Sequence, residues 1–86
     1  MNQTLDEVPN LGSKSIAMLN SAGIRTREEL EDLGPVVAFL AVRQSGQPAT
    51  LNLLWSIAAG LKNRGWRELS DAEKQKLIDE MNELTR

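Results

Sequence analysis

Apolar residues recur along the chain at intervals of three and four, and no stretch keeps the period-two alternation or β-branched enrichment of a half-buried strand. The spacing predicts five helices. The first runs from about Ser13 to Ser21, opens after Gly12, buries Ile16 and Leu19, and stops at Gly23, a residue suited to the left-handed turn after a helix end. A second starts at Thr26, whose spacing to Glu29 is that of a capping box, and ends at Gly34. Pro35 then opens a third, because a first helical residue needs no amide donor, and Val36, Val37, Phe39 and Leu40 carry it to about Gln44. Ser45 to Ala49 reads as a loop. Beyond Thr50 a fourth helix places Leu51, Leu54, Trp55, Ala58 and Leu61 on one stripe and leaves near Arg64-Gly65, with Trp66 and Leu69 expected to close over the stripe. Ser70 and Glu73 repeat the capping-box spacing ahead of a last helix bearing Leu77, Met81 and Leu84. Thr4 and Glu7 have that spacing too, but Pro9 forces Val8 out of the helical region and leaves room for about one turn, so this segment is expected to be mostly extended.

A chain of 86 residues holds one domain, residues 1–86, and buries about two thirds of its extended surface, so all the helices must share one core. The expected fold is therefore a compact all-α domain of five helices. Hydrophobic residues make up 41% and charged residues 26%, the balance of a globule rather than a disordered tail. There is no cysteine and no histidine, which removes disulfides, the usual zinc sites and histidine-based catalysis. Neither a clustered nucleophile and base nor a Gly-rich nucleotide loop is present, so no enzyme and no cofactor is expected. Leu53 to Leu61, the longest apolar stretch, is interrupted by Ser56 and Gly60 and falls short of the roughly 20 residues needed to cross a bilayer. With no signal-like N-terminus, the expected setting is cytoplasmic, without a membrane partner.

Charge changes the picture through its distribution. The net value of −2 opposes indiscriminate binding to a polyanion, yet Arg43 to Arg67 carries +4 through Arg43, Lys62, Arg64 and Arg67, while Glu28 to Asp32 carries −4. Those four cations form a candidate basic interaction surface, either a solvated rim of the fourth helix or a site for phosphate, for an acidic helix of another protein, or for the last helix of a second copy in a homodimer. The other candidate is Pro9-Asn-Leu-Gly-Ser-Lys-Ser15, which reads as a helix-hairpin-helix-like element. Gly12 is expected to turn with positive φ just before a helix N-terminus, whose free amides can hold an anion. Asn10, Gly12, Ser13, Lys14 and Ser15, with Arg25, are then the candidate nucleic-acid phosphate contacts; hairpin carbonyls could also hold a monovalent cation. Against this, Asn10 stands where phosphate-binding hairpins carry glycine, and Asp6, Glu7 and the acids of 28–32 flank the loop. The alternative is that Leu11, Ile16, Leu19, Ile24, Leu30 and Leu33 pack two helices and the glycines only permit the turns. Asn52, polar beside an apolar stripe, is expected to bond within the chain near Gln47-Pro48.

Ser13 to Leu30 resembles the C-terminal domain of the bacterial RNA polymerase alpha subunit, which would imply contact with DNA and activators. A fuller resemblance covers about Leu5 to Leu77. Pro9-Asn-Leu-Gly12, Ala22-Gly-Ile24, Leu51-Asn-Leu-Leu54 and Trp66 to Leu69, in that order and spacing, resemble the C-terminal domain of the TfoX/Sxy family. That resemblance implies a non-enzymatic regulatory or interaction module of bacterial transcription and competence that binds a protein partner, with DNA or RNA binding as the alternative. In that family Asn10 matches the pattern. The chain is expected to be a stand-alone domain without the family's N-terminal α+β part.

Overall fold

The third helix organises the molecule. In the computed structural model, which describes residues 4–86, the α-helices are α1 (Ser13–Ser21), α2 (Arg27–Gln44), α3 (Leu51–Leu61) and α4 (Asp71–Leu84), with single 3₁₀ turns at Leu5–Glu7 and Trp66–Glu68. Leu53, Leu54, Trp55, Ile57, Ala58, Ala59 and Gly60 of α3 are all buried, so this helix is apolar around most of its circumference. The other elements wrap it. α2 lies along α3, the Trp66–Glu68 turn folds back on α3, α4 packs on α2, and α1 fits between α2 and the Leu5–Glu7 turn. Phe39, Leu19, Leu30, Val36, Val42, Leu54 and Ile57 fill the centre.

The all-α reading holds: the described residues contain one isolated bridge, Thr4 to Thr26, and no strand. The helix count does not, since four helices replace the expected five. The break at Gly34 is a kink inside the 18-residue α2 rather than a separation of two helices. Gly34 takes φ 82° and ψ 163°, a region essentially reserved for glycine, and Pro35 can restart the helix at once because it has no amide to satisfy. No loop is needed between the two segments.

Helix ends follow the local signals closely. Thr26 Oγ1 accepts from the Glu29 amide at 3.1 Å while Glu29 Oε1 accepts from the Thr26 amide at 3.1 Å, and Ser70 and Glu73 repeat both bonds at the same lengths. α1 stops as expected: the Gly23 amide donates to the Asn20 carbonyl and the Ile24 amide to that of Leu19, with Ile24 buried beneath. α3 ends in the same way, except that Asn63, at φ 57°, takes the place that glycine usually fills.

The helix-hairpin-helix element is not seen. Among the described residues only the Leu5–Glu7 turn precedes the Pro9–Gly12 loop. That turn takes up the room expected for about one turn before Pro9, and closing it sends Leu5 and Val8, each 2% exposed, into the core, while the Thr4 side chain makes no cap bond. The positive φ of the loop lies at Asn10 (73°); Gly12 is ordinary extended backbone at φ −90°, ψ 180°. Three apolar positions also depart from expectation. Leu33, Leu51 and Trp66 are 40–41% exposed, and Leu69 alone closes over α3.

Candidate functional site

The Pro9–Gly12 loop is fixed by a close approach and a clamp. Val8 and Pro9 lie directly against Gly60 in α3, where a Cβ would meet the Pro9 carbonyl and come within 2.8 Å of Val8 Cγ1. Next to that contact, Asn10 Nδ2 donates to the Arg64 carbonyl at 2.8 Å, and the Trp66 amide donates to Asn10 Oδ1 at 3.3 Å. Both ends of the Asn10 amide are thus spent on the turn that follows α3. Asparagine tolerates left-handed φ better than most residues, and its side chain satisfies polar groups that no regular element pairs. This side chain points at protein, not at an anion.

The clamp joins the two candidate surfaces. The Pro9–Gly12 loop is held beside Arg64, Trp66 and Arg67. Trp66 stands 41% exposed, with the Arg67 guanidinium 5.3 Å from its ring centroid. Arg64 and Lys62 converge as well, but on an acid. Arg64 Nη2 and Lys62 Nζ each lie 3.1 Å from a Glu73 oxygen, Arg64 Nη1 donates to the same carboxylate at 3.3 Å, and Arg64 Nη2 also donates to the Glu68 carbonyl. Hydrogen bonds from Arg64, then from the Ser70 amide and Lys62, lower the Glu73 pKa to about 2 from the ordinary 4.5, against a small opposing effect of burial. Arg43 lies elsewhere, on the last turn of α2, over the Phe39 ring at 5.4 Å. The four cations therefore do not make one open basic face.

The remaining predicted contacts fall on the first turn of α1. Gly12, Ser13 and Lys14 are exposed and Ser15 is partly covered, and α1 has no side-chain cap. Lys14 and Ser15 line a depression of about 220 Å³ together with Thr50, Asn52 and Ser56 at the start of α3. No acid lines it, and those five side chains have no hydrogen-bond or ion-pair partner among the described residues. Asn52 thus makes no internal bond to the Gln47-Pro48 loop. Arg25 is exposed across the α1–α2 turn, where its amide donates to Glu29.

One residue the pattern did not single out ties the scaffold together. Arg27, at 12% side-chain exposure, pairs with Glu31 at 2.7 Å, donates to Asn63 Oδ1 at 3.2 Å, and donates to the Leu61 carbonyl at 3.3 Å. A cation thereby serves the C-terminal carbonyls of α3, the end of a helix that favours positive charge. A basic residue in a helix first turn gives no sequence signal for that role.

No helix among the described residues is long and apolar enough to cross a membrane, and no group of three or more potential ligands among them could hold a metal. The hydroxyl–carboxylate pairs present, Thr26–Glu29 and Ser70–Glu73, are engaged in capping helices. The fold is a small all-α scaffold that presents a clamped, partly exposed tryptophan and an uncapped helix start. The sequence profile of the TfoX C-terminal domain matches residues 1–81, and the chain belongs to that family. It is 34% identical over 82 residues to the DNA transformation protein TfoX of Haemophilus influenzae, covering 95% of this chain and 38% of that protein. The chain thus spans well under half the length of that relative. Two crystal structures from Listeria monocytogenes, a triclinic form of a protein described as uncharacterized and a tetragonal form of a protein described as of unknown function, superpose with a TM-score of 0.82 each. They are 29% and 30% identical to this chain and cover 95% and 93% of it, matching 93% and 98% of their own lengths.

Proposed function

We propose that this domain is a non-enzymatic regulatory module of bacterial transcription and competence that binds a protein partner through the surface around Trp66. Family membership and the relative named as a DNA transformation protein support the setting. The observation that carries the binding surface is Trp66 itself, 41% exposed, with its backbone amide tied to Asn10 and its ring under Arg67. Tryptophan and arginine are the residue types that dominate interface energetics, and a side chain already held in place loses little freedom on binding.

The test places a photo-crosslinking amino acid at Glu68 in cells, with Trp66 intact or replaced by alanine. A discrete adduct with one protein is expected, lost in Trp66→Ala, together with a change in competence-gene transcripts matching that of a deletion. An adduct and transcripts indifferent to Trp66→Ala would refute the reading.

One observation favours a second reading, binding of DNA or RNA. It is the acid-free depression where Lys14, Ser15, Thr50, Asn52 and Ser56 have no partner among the described residues. This reading expects amide shifts at residues 12–15 on titration with DNA at low salt, weakened by added salt and by Lys14→Glu. A spectrum unmoved by DNA at low salt removes it.

A further inference from the structure

The helix α4 has no buried residue, although it carries four large apolar side chains. Ile78 and Met81 lie partly buried against the core, and Lys74 reaches back over the Trp55 ring at 5.7 Å, which fixes the inward face. An adjacent face borders an open groove of about 290 Å³ whose floor is Pro35, Ala58, Leu61, Leu69 and Leu77. Helical periodicity puts Lys76 and Glu80 on the rim of this groove and Leu84, two turns beyond Leu77, in line with it. Leu84 is 55% exposed, the most exposed of the large apolar side chains among the described residues. Lys76 and Glu80 have no ion pair or hydrogen bond among the described residues. Their order along the helix, lysine before glutamate, is the poorer one for pairing within the helix.

These features fit one occupant. We infer that α4 packs antiparallel against α4 of a second copy of this chain about a twofold axis near Ile78, with Lys76 of each copy meeting Glu80 of the other and Leu84 of each entering the groove of the other. A twofold interface must complement itself, so that what one residue meets, its counterpart returns. The stripe does so. With residue 76 opposite residue 80, residue 84 falls opposite Ala72, beside the end of the groove formed by Leu69. Glu83 of one copy, paired with its own Arg86 at 3.5 Å, falls opposite Glu73 of the other, which arrives with Lys62 and Arg64 bound to it, so no bare like charges meet there. The exposed leucine finds an apolar floor. The inference is independent of the Trp66 reading, because neither Trp66 nor Arg67 lines this groove.

Sedimentation equilibrium of the purified chain tests it. The parent is expected to rise from one-chain to two-chain mass as concentration increases from micromolar to millimolar. Lys76→Glu and Glu80→Lys each place like charges opposite one another twice and should weaken association about tenfold or more. The first variant carries acid at both positions 76 and 80, and the second carries lysine at both. Mixed one to one, they restore opposite signs to both pairs across the axis, so the mixture should recover the two-chain species that neither forms alone. Leu84→Glu should remain a single chain, with an unchanged melting temperature at micromolar concentration because the site is exposed. A parent that keeps one-chain mass at millimolar concentration overturns the inference. So does a dimer indifferent to Leu84→Glu, or a mixture of the charge variants that fails to recover association.

Discussion

Replacing Gly60 by alanine sets two effects of opposite sign against each other. In an ordinary helix interior the change stabilises by about 1 kcal/mol, since alanine is the better helix former. Here the new methyl would overlap the Pro9 carbonyl and crowd Val8 Cγ1 at 2.8 Å, distances that real Cβ atoms do not reach. The obstacle is backbone, and it is pinned. Val8 is bonded to Leu5 and buried, while Asn10 is bonded to Arg64 and Trp66. Retreat of the loop would forfeit the two Asn10 bonds at about 1 kcal/mol each and uncover part of Val8. Overpacking of this kind costs about 1–3 kcal/mol, and with the loop's lost bonds added and the helix gain subtracted we expect a net loss of about 2–4 kcal/mol. For a domain of this size that lowers the melting temperature by about 8–32 °C. Thermal unfolding followed by far-ultraviolet circular dichroism reads it directly. In addition, Gly60→Ala combined with Asn10→Ala should cost less than the sum of the two, because the second change releases the loop that the first must push aside. A Gly60→Ala protein that melts with or above the parent would refute the close approach as drawn.

Three further outcomes follow from the same geometry. Gly12→Ala should change stability by no more than about 0.5 kcal/mol, since its φ is ordinary and its surroundings open, whereas Gly34→Ala should lose about 1–3 kcal/mol to its φ of 82°; urea unfolding of the pair checks both. Asn10→Ala should cost about 2 kcal/mol by removing both clamp bonds, and amide spectra should show the change at residues 64–66 as well as in the loop. Glu73 is held near pKa 2 in the folded chain against 4.5 ordinarily, so the unfolded state takes up the proton first as pH falls. Its stabilising contribution is complete above about pH 4.5 and fades toward pH 2. Glu73→Gln should therefore lower the urea midpoint at neutral pH by an amount that shrinks through that window, and a difference independent of pH would contradict the ion-pair assignment.

What the sequence revealed was what short-range physics decides. The capping boxes at Thr26 and Ser70 are contacts over three residues, and the stop at Gly23 depends on one residue's dihedrals, so each can be read without knowing the fold. The kink at Gly34 was legible as a break but not as a small one, because its size depends on α2 lying along α3 on one side and α4 on the other. The partners of Asn10 were hidden for a like reason. A turn residue ahead of a helix signals an anion site in isolation, and its real partners are 54 and 56 residues away. Glu73 was equally hidden in its second role: spacing announces a cap, while only the folded chain brings Lys62 and Arg64 onto the same carboxylate. Trp66 shows the limit from the other side, for an aromatic near an apolar stripe has the same pattern whether it closes the core or stands outside it.

The Asn10 clamp also bears on how the two candidate surfaces relate. If the loop were an independent grip for phosphate, its backbone would need freedom to adjust and its side chains would face outward. Instead Gly60 lets the loop lie flat on α3, Asn10 spends both ends of its amide on the turn beyond, and the Trp66 amide donates to that same side chain. The loop acts as a brace, and the element it braces is the exposed tryptophan. A residue remote in sequence thereby helps to hold the turn that presents Trp66. On the protein-binding reading proposed above, weakening the brace should blunt recognition at Trp66 while leaving the first turn of α1 in place, since the Ile16 amide still closes that turn on the Gly12 carbonyl at 3.0 Å. That asymmetry separates a protein-binding surface centred on Trp66 from a nucleic-acid surface centred on Lys14, because only the first depends on Asn10.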